Sequence, residues 1–411
     1  MKKNFILSLI ANVSRVGLGF VFFWQVSQSL GLEKLGEYLY LIAALGYFGT
    51  LIDYGFNLFV LNAASRSDDA ARPLFLRVIF SKIVLTFAAI AILLAIYGFA
   101  FVQQGVLVTA LFFVGLLLQS FSGLLIQFFK ALGRFDHEFN STLLASALPV
   151  ALLFAFGGQV TLVQLGWMVV FVRVGVLFFQ LILFLRQTKG QPWATVEDTM
   201  SWFLPRALKD IRGNFKYAVF SVLGATFLSV DLIIMRFTLG LEAVSIYGTA
   251  MKVILAAILF FEVLTGVFIP SLARQHTQDK TLFWAGVRRF AYVMFGGALV
   301  VSVGLILFGP GAINWAFGVQ FAEAGSVLRV LSVVLILRVM TMVSGSLLTI
   351  YGLQGFRARV MIFVLPLHIG INWLLQPQFG IWGAVYTLGF SFLLLFILNF
   401  AYLLRAVRLG R

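Results

Sequence analysis

The chain is a succession of apolar stretches long enough to cross a bilayer, joined by short polar segments. A spanning helix needs about 20 mainly apolar residues. In lipid its backbone must find all its hydrogen bonds within the protein, which leaves helices as the natural reading of such stretches. Twelve qualify: 5–29, 38–62, 76–97, 105–129, 142–156, 162–185, 217–237, 243–272, 290–308, 327–350, 360–375 and 381–404. The fifth is short and is expected to be broken by Pro149. Composition agrees: 61% of residues are hydrophobic and 11% charged, against about half and about a quarter in a soluble domain. The first span begins near Met1 without a small-residue cleavage site, so it is expected to be a retained helix. There is no cysteine, which excludes disulfide and thiol chemistry, and three histidines make a His-built metal centre unexpected.

The net charge of +15 needs a soluble basic module if it is to mean nucleic-acid binding, and none is present. It follows topology instead. Alternate ends of the spans carry Lys2 and Lys3; Arg66, Arg72 and Arg77; Lys130 and Arg134; Arg186, Lys189, Arg206, Lys209, Arg212 and Lys216; Arg274, Lys280, Arg288 and Arg289; Arg357 and Arg359; Arg405, Arg408 and Arg411. The opposite ends hold Lys34 among Glu33, Glu37, Glu242 and Glu323. Cytoplasmic segments are the basic ones, so both termini are expected in the cytoplasm. The longest polar stretch, 187–216, contains SWFLPRALKDIRGNFKY. It reads as an interfacial helix and divides the chain into lobes at 1–188 and 214–411, with a linker at 189–213.

The two lobes repeat each other. LGLEKLGEYLYL opens 30–66, LGLEAVSIYGTA opens 239–274, and both segments end at an arginine. ALGRF after the fourth span has a counterpart in GLQGF after the tenth. Parallel repeats of this kind are a transporter architecture with the substrate path between halves. The expected fold is therefore all-α: a polytopic membrane protein with twelve transmembrane helices in two six-helix pseudo-symmetric lobes around a central cavity.

The segments LGLEKLGEYLYLIAALG, LIDYGFN, DLIIMRFTLGLEAVSIYGTAMKV, PSLAR and FGIWGAVYTLG follow in an order that resembles the polysaccharide-repeat (O-antigen) flippases. These form a branch of the multidrug/oligosaccharidyl-lipid/polysaccharide exporter superfamily. The resemblance implies a flippase of the bacterial cytoplasmic (inner) membrane that moves undecaprenyl-pyrophosphate-linked oligosaccharide outward. It implies polysaccharide or lipopolysaccharide assembly proteins as neighbours, membrane lipid as surroundings and no nucleic acid. A cation-coupled drug or metabolite antiporter of the same superfamily is the alternative, followed by an integral-membrane enzyme of envelope glycans.

Charged residues inside spans mark pathways. The bases there are Arg15, Lys82, Arg173, Arg236, Lys252, Arg329 and Arg338; the acids are Asp53, Asp231 and Glu262. The excess of base suits a pyrophosphate, which arginine binds through two parallel hydrogen bonds. Arg15, Arg173, Arg338, Lys252 and Lys82 are the candidate substrate contacts. Lys82 lies close enough to its helix end to snorkel instead, and Arg15 has a structural alternative as partner of Asp53. The resemblance adds that basic residues of the first helix line the cavity in this superfamily. Asp53 and Glu262 occupy matching depths of the repeat and read as an ion-coupling site or as structural ion pairs. Asp231, Arg236 and Arg329 read as an outer gate or as interfacial residues. His368, one turn from Asn372, reads as a helix contact or a proton relay. No catalytic constellation, phosphate-binding loop, metal cluster or organic cofactor site is expected. Transport is expected to be driven by an ion gradient, with proton or sodium as the candidate ions, or by removal of the product.

Overall fold

A computed structural model describes residues 2–57, 59–60, 71–157, 159–189 and 203–408. Arg66, Arg411 and most of the expected linker lie outside them. Every regular element among the described residues is a helix. In chain order these are α1 (Lys2–Asp53), α2 (Ala71–Ala100), α3 (Val106–Ala131), α4 (Phe135–Ala155), α5 (Leu162–Gln187), α6 (Phe203–Thr238), α7 (Leu241–Gln278), α8 (Lys280–Phe317), α9 (Ala322–Ile350), α10 (Gln354–Phe379) and α11 (Ile381–Arg408). Among the described residues, eleven segments are long and apolar enough to span. The first is divided by a corner at Gly31 (φ 69°, ψ 178°), which raises the crossings from eleven to twelve.

That corner explains the repeated LGLE. Gly31 stands at φ 69° and Gly240, its counterpart, at φ 93°. Side chains with a Cβ resist this region and glycine does not, so each lobe turns from its first to its second span on the same residue. The second repeat pair has a structural register of its own. Leu132, Gly133 and Arg134 donate to Phe128, Lys130 and Phe129 at 2.9, 3.1 and 2.8 Å; Tyr351, Gly352 and Leu353 donate to Leu347, Thr349 and Leu348 at 3.0, 3.0 and 2.8 Å. These are the same helix stop. Gly133 therefore corresponds to Gly352, two residues displaced from a letter-by-letter match of ALGRF with GLQGF.

Two expectations change. Pro149 lies inside α4, which continues around it. The basic stretch from Phe203 is no separate interfacial helix, because α6 runs unbroken from there to Thr238.

The chain forms two compact units, Met1–Leu228 and Ser229–Arg411. In the first, α1 packs on α3 and α4, and α3 on α5. Phe56, Phe75, Phe128, Phe129 and Phe184 form an aromatic core there, with the Phe75 and Phe184 ring centroids 4.5 Å apart. In the second unit, α9 packs against α7, α8 and α11, and α10 packs on α11. Large side chains such as Phe99, Phe308 and Trp315 point outward, as apolar residues do when the surrounding solvent is hydrocarbon.

Candidate functional site

In the first unit, α1 ends at Asp53 and the backbone turns sharply through Tyr54 (φ 43°) and Gly55 (φ 76°). A Cβ on Gly55 would lie 2.4 Å from the Cβ of Tyr217 on α6. The turn thus brings two backbones together where only glycine fits. At the equivalent place in the second unit, Glu262, α7 continues unbroken to Gln278.

The turn leaves the Asp53 carboxylate beside Lys82 and Ser120. Lys82 Nζ lies 2.8 Å from Asp53 Oδ1 and donates to the Ser120 carbonyl at 2.8 Å. The Ser120 hydroxyl donates to the same Asp53 oxygen at 2.5 Å. Lys82 has no exposed surface. It therefore does not snorkel to its helix end, and in this conformation it is spent on Asp53 rather than open to a ligand. Asp53 takes Lys82 as its cation, where Arg15 was one expectation. The physical reason is reach: α2 presents Lys82 to the end of α1, whereas Arg15 is exposed on the first arm of α1.

Arg173 on α5 is half-buried and donates to Gln119 Oε1 on α3 at 3.0 Å. Among the described residues, neither Arg15 nor Arg173 has a carboxylate within salt-bridge distance. Further along, Arg77 of α2 forms a two-pronged ion pair with the buried Asp210 of α6.

In the second unit, Arg338 Nη2 lies 3.8 Å from Glu262 Oε1, a loose pair whose acid is about half exposed. The Arg338 guanidinium stands over the Phe392 ring at 5.4 Å, and its buried Nε has no hydrogen-bond partner. The two acids at matching depths of the repeat are thus unlike: Asp53 is tightly held and Glu262 is not. Lys252 is half-buried on α7, and Arg329 is exposed on α9.

Asp231 departs from the outer-gate expectation. Its side chain is 3% exposed and sits in a buried hydrogen-bond network. Tyr247 Oη donates to Asp231 Oδ2 at 2.8 Å, and Asn372 Nδ2 donates to Oδ1 at 2.6 Å. His368 Nε2 lies 2.9 Å from Oδ1. The other ring nitrogen, Nδ1, is 2.9 Å from the Ser391 hydroxyl. Gln376 donates to Asn372 Oδ1 at 2.8 Å and receives a bond from Thr238 at 2.9 Å. Four helices, α6, α7, α10 and α11, contribute. Sequence reading paired His368 with Asn372 but missed Asp231, Tyr247, Gln376 and Ser391 as their companions. One signal was there: His368, Asn372 and Gln376 recur at four-residue spacing and so line one helix face.

A family model described as polysaccharide biosynthesis protein matches residues 1–276 of the 411. The chain belongs to this family. Two relatives are similar over part of it. A probable low-salt glycan biosynthesis flippase from Haloferax volcanii, Agl15, is 26% identical over 219 residues, covering 50% of this chain and 46% of that protein. The capsular polysaccharide biosynthesis protein CapF from Staphylococcus aureus is 23% identical over 173 residues, 42% of this chain and 43% of its own. The matched region thus spans less than half of either relative.

Solved structures cover the chain end to end. An inward-facing multidrug resistance MATE family transporter of the MOP superfamily aligns with a TM-score of 0.77 and 15% identity, over 99% of each chain. A MOP superfamily transporter from Pyrococcus furiosus aligns with a TM-score of 0.68 and 16% identity, over 100% of this chain and 97% of its own. That likeness is one of fold. Family and fold agree on a multi-pass membrane protein of polysaccharide biosynthesis built like a transporter.

Proposed function

We propose that this protein is a flippase. Its cargo would be an oligosaccharide linked to undecaprenyl pyrophosphate, an O-antigen or related surface repeat unit, carried across the bacterial cytoplasmic membrane by alternating access. The observation that supports the cargo is uncompensated base within the spans. Once Lys82 is assigned to Asp53, the charges of Arg15 and Arg173 still have no carboxylate partner among the described residues. An arginine near the middle of a span costs about 2.5–3.5 kcal/mol on insertion scales. A pyrophosphate would offset that cost through charge-assisted bonds. A carrier of cationic drugs would be served by acid in the same places. In this reading both termini face the cytoplasm, and no bond is made or broken during transport.

The test is complementation of a flippase-null strain with wild type and with Arg15→Ala, Arg173→Ala and Arg338→Ala, at matched membrane levels. Loss of a charge-assisted bond of about 1.5–3 kcal/mol should lower surface glycan about tenfold or more in at least one variant. Wild-type glycan in all three, and in the triple variant, would overturn the cationic-path reading.

A further inference from the structure

We infer that Asp231 and His368 form a proton-binding site, one that takes up and gives back a single proton inside the second unit. The transport role of that proton rests on the flippase reading above; the site itself does not.

The geometry lets His368 hold either charge without rearranging heavy atoms. Nε2 faces the Asp231 carboxylate at 2.9 Å, so this nitrogen carries a hydrogen in both states. The same placement makes the 3.2 Å approach of Asn372 Nδ2 to His368 Nε2 a contact of two donors, each directed at the carboxylate between them. The variable position is Nδ1, opposite the Ser391 hydroxyl at 2.9 Å. A hydroxyl both donates and accepts. When the ring is neutral, Ser391 donates to the Nδ1 lone pair. When a proton is added there, the new N–H donates to Ser391 Oγ and the hydroxyl hydrogen rotates away. One N–H bond forms, no other covalent bond changes, and the charge of the pair moves from −1 to 0.

Hydrogen-bonding side chains surround the Asp231 carboxylate. The groups that hold it are Tyr247 from α7 and His368 and Asn372 from α10; Gln376 meets the Asp231 backbone carbonyl. Of these, Tyr247 and His368 carry ionisable side chains, and an unperturbed imidazole is the kind whose charge changes near neutral pH. Asp231, His368, Asn372, Gln376 and Ser391 are all at most 2% exposed. An uncompensated charge so enclosed is costly. The unprotonated pair, at net −1, is therefore favoured in a conformation that admits water to it, which is how proton release would couple to a change of conformation. A bound sodium ion is the weaker reading, because imidazole is a poor ligand for it compared with oxygen.

The chain has three histidines, His137, His276 and His368, so histidine-selective 15N NMR of the full chain in lipid nanodiscs can follow each one. His368→Gln assigns its signals. Over about pH 5–9, Nε2 of His368 should stay protonated while Nδ1 gains its proton in one step. Asp231→Asn should displace that step by about one pH unit or more, with His137 and His276 unchanged. Tyr247→Phe, a milder change to the same carboxylate, should displace it less and serves if Asp231→Asn does not fold. A His368 held in one charge state throughout would overturn the proposal. So would a step indifferent to both variants, or a change driven by sodium at constant pH. In cells, His368→Gln should flatten the pH dependence of glycan export. If wild type fails to complement while the NMR step stands, the flippase reading falls and the proton site remains.

Discussion

Each unit sets a carboxylate against a buried base, and the two bases differ in kind. Asp53 meets Lys82, whose amine is 2.8 Å away and wholly enclosed. Asp231 meets His368 at 2.9 Å, also enclosed. A lysine amine is intrinsically a far stronger base than an imidazole, whose unperturbed charge change falls near neutrality. The first pair is a fixed clamp that closes a broken helix onto α2 and α3. The second is a clamp that can change its charge. The backbone follows the same division. The chain breaks at Tyr54–Gly55 beside Asp53, whereas α6 passes Asp231 without interruption.

The harshest way to break this comparison is Lys82→Met. It leaves a half-enclosed acid and the Ser120 carbonyl without their cation. Removing one partner of a buried pair costs about 3–5 kcal/mol; the partial exposure of Asp53 places the expected loss at the lower end. Thermal unfolding in detergent should show it, and adding Asp53→Asn should recover most of it. No recovery would mean that Lys82 is held for its packing against Phe121 rather than for the charge. Next comes Gly55→Ala, which combines a positive φ with an impossible approach to Tyr217. About 1–3 kcal/mol for strained backbone is a floor here, because α6 must also move. Gly240→Ala, where a Cβ meets nothing within 4 Å, should cost only what strained backbone costs, about 1–3 kcal/mol. Equal losses at the two glycines would remove the case for a special contact at the break. The smallest effect is Tyr247→Phe, with about 1 kcal/mol lost, because Asn372 and His368 still hold the carboxylate. A loss as large as that of Lys82→Met would show that the second network is a rigid strut and not a switch.

Much of the fold was legible because lipid imposes simple rules. Apolar length marked the spans, alternating base marked the ends, and LGLE stated twice marked the repeat. Gly31 and Gly240 then supplied the reason for the repetition, since the same corner needs the same residue. The interior charges were legible as positions but not as pairs. Lys82 read as a snorkelling residue because its helix end is near; the tertiary structure turned it inward because the end of α1 puts Asp53 within reach. Asp231 and Arg236 sit five residues apart and looked like members of one gate. Asp231 instead faces α7 and α10, where Tyr247, His368 and Asn372 converge.

A bundle of membrane helices, the basic ends, the correspondence of the halves and the excess of base over acid within the spans can all be read from the chain alone. Those properties belong to single segments or to sums along the chain, and lipid reads them one segment at a time. The pairing of Asp53 with Lys82 and of Asp231 with His368 emerges from helix packing. Partner choice depends on the rotation and depth of each helix against its neighbours. Packing of whole helix faces sets both, and no local pattern in the sequence encodes either.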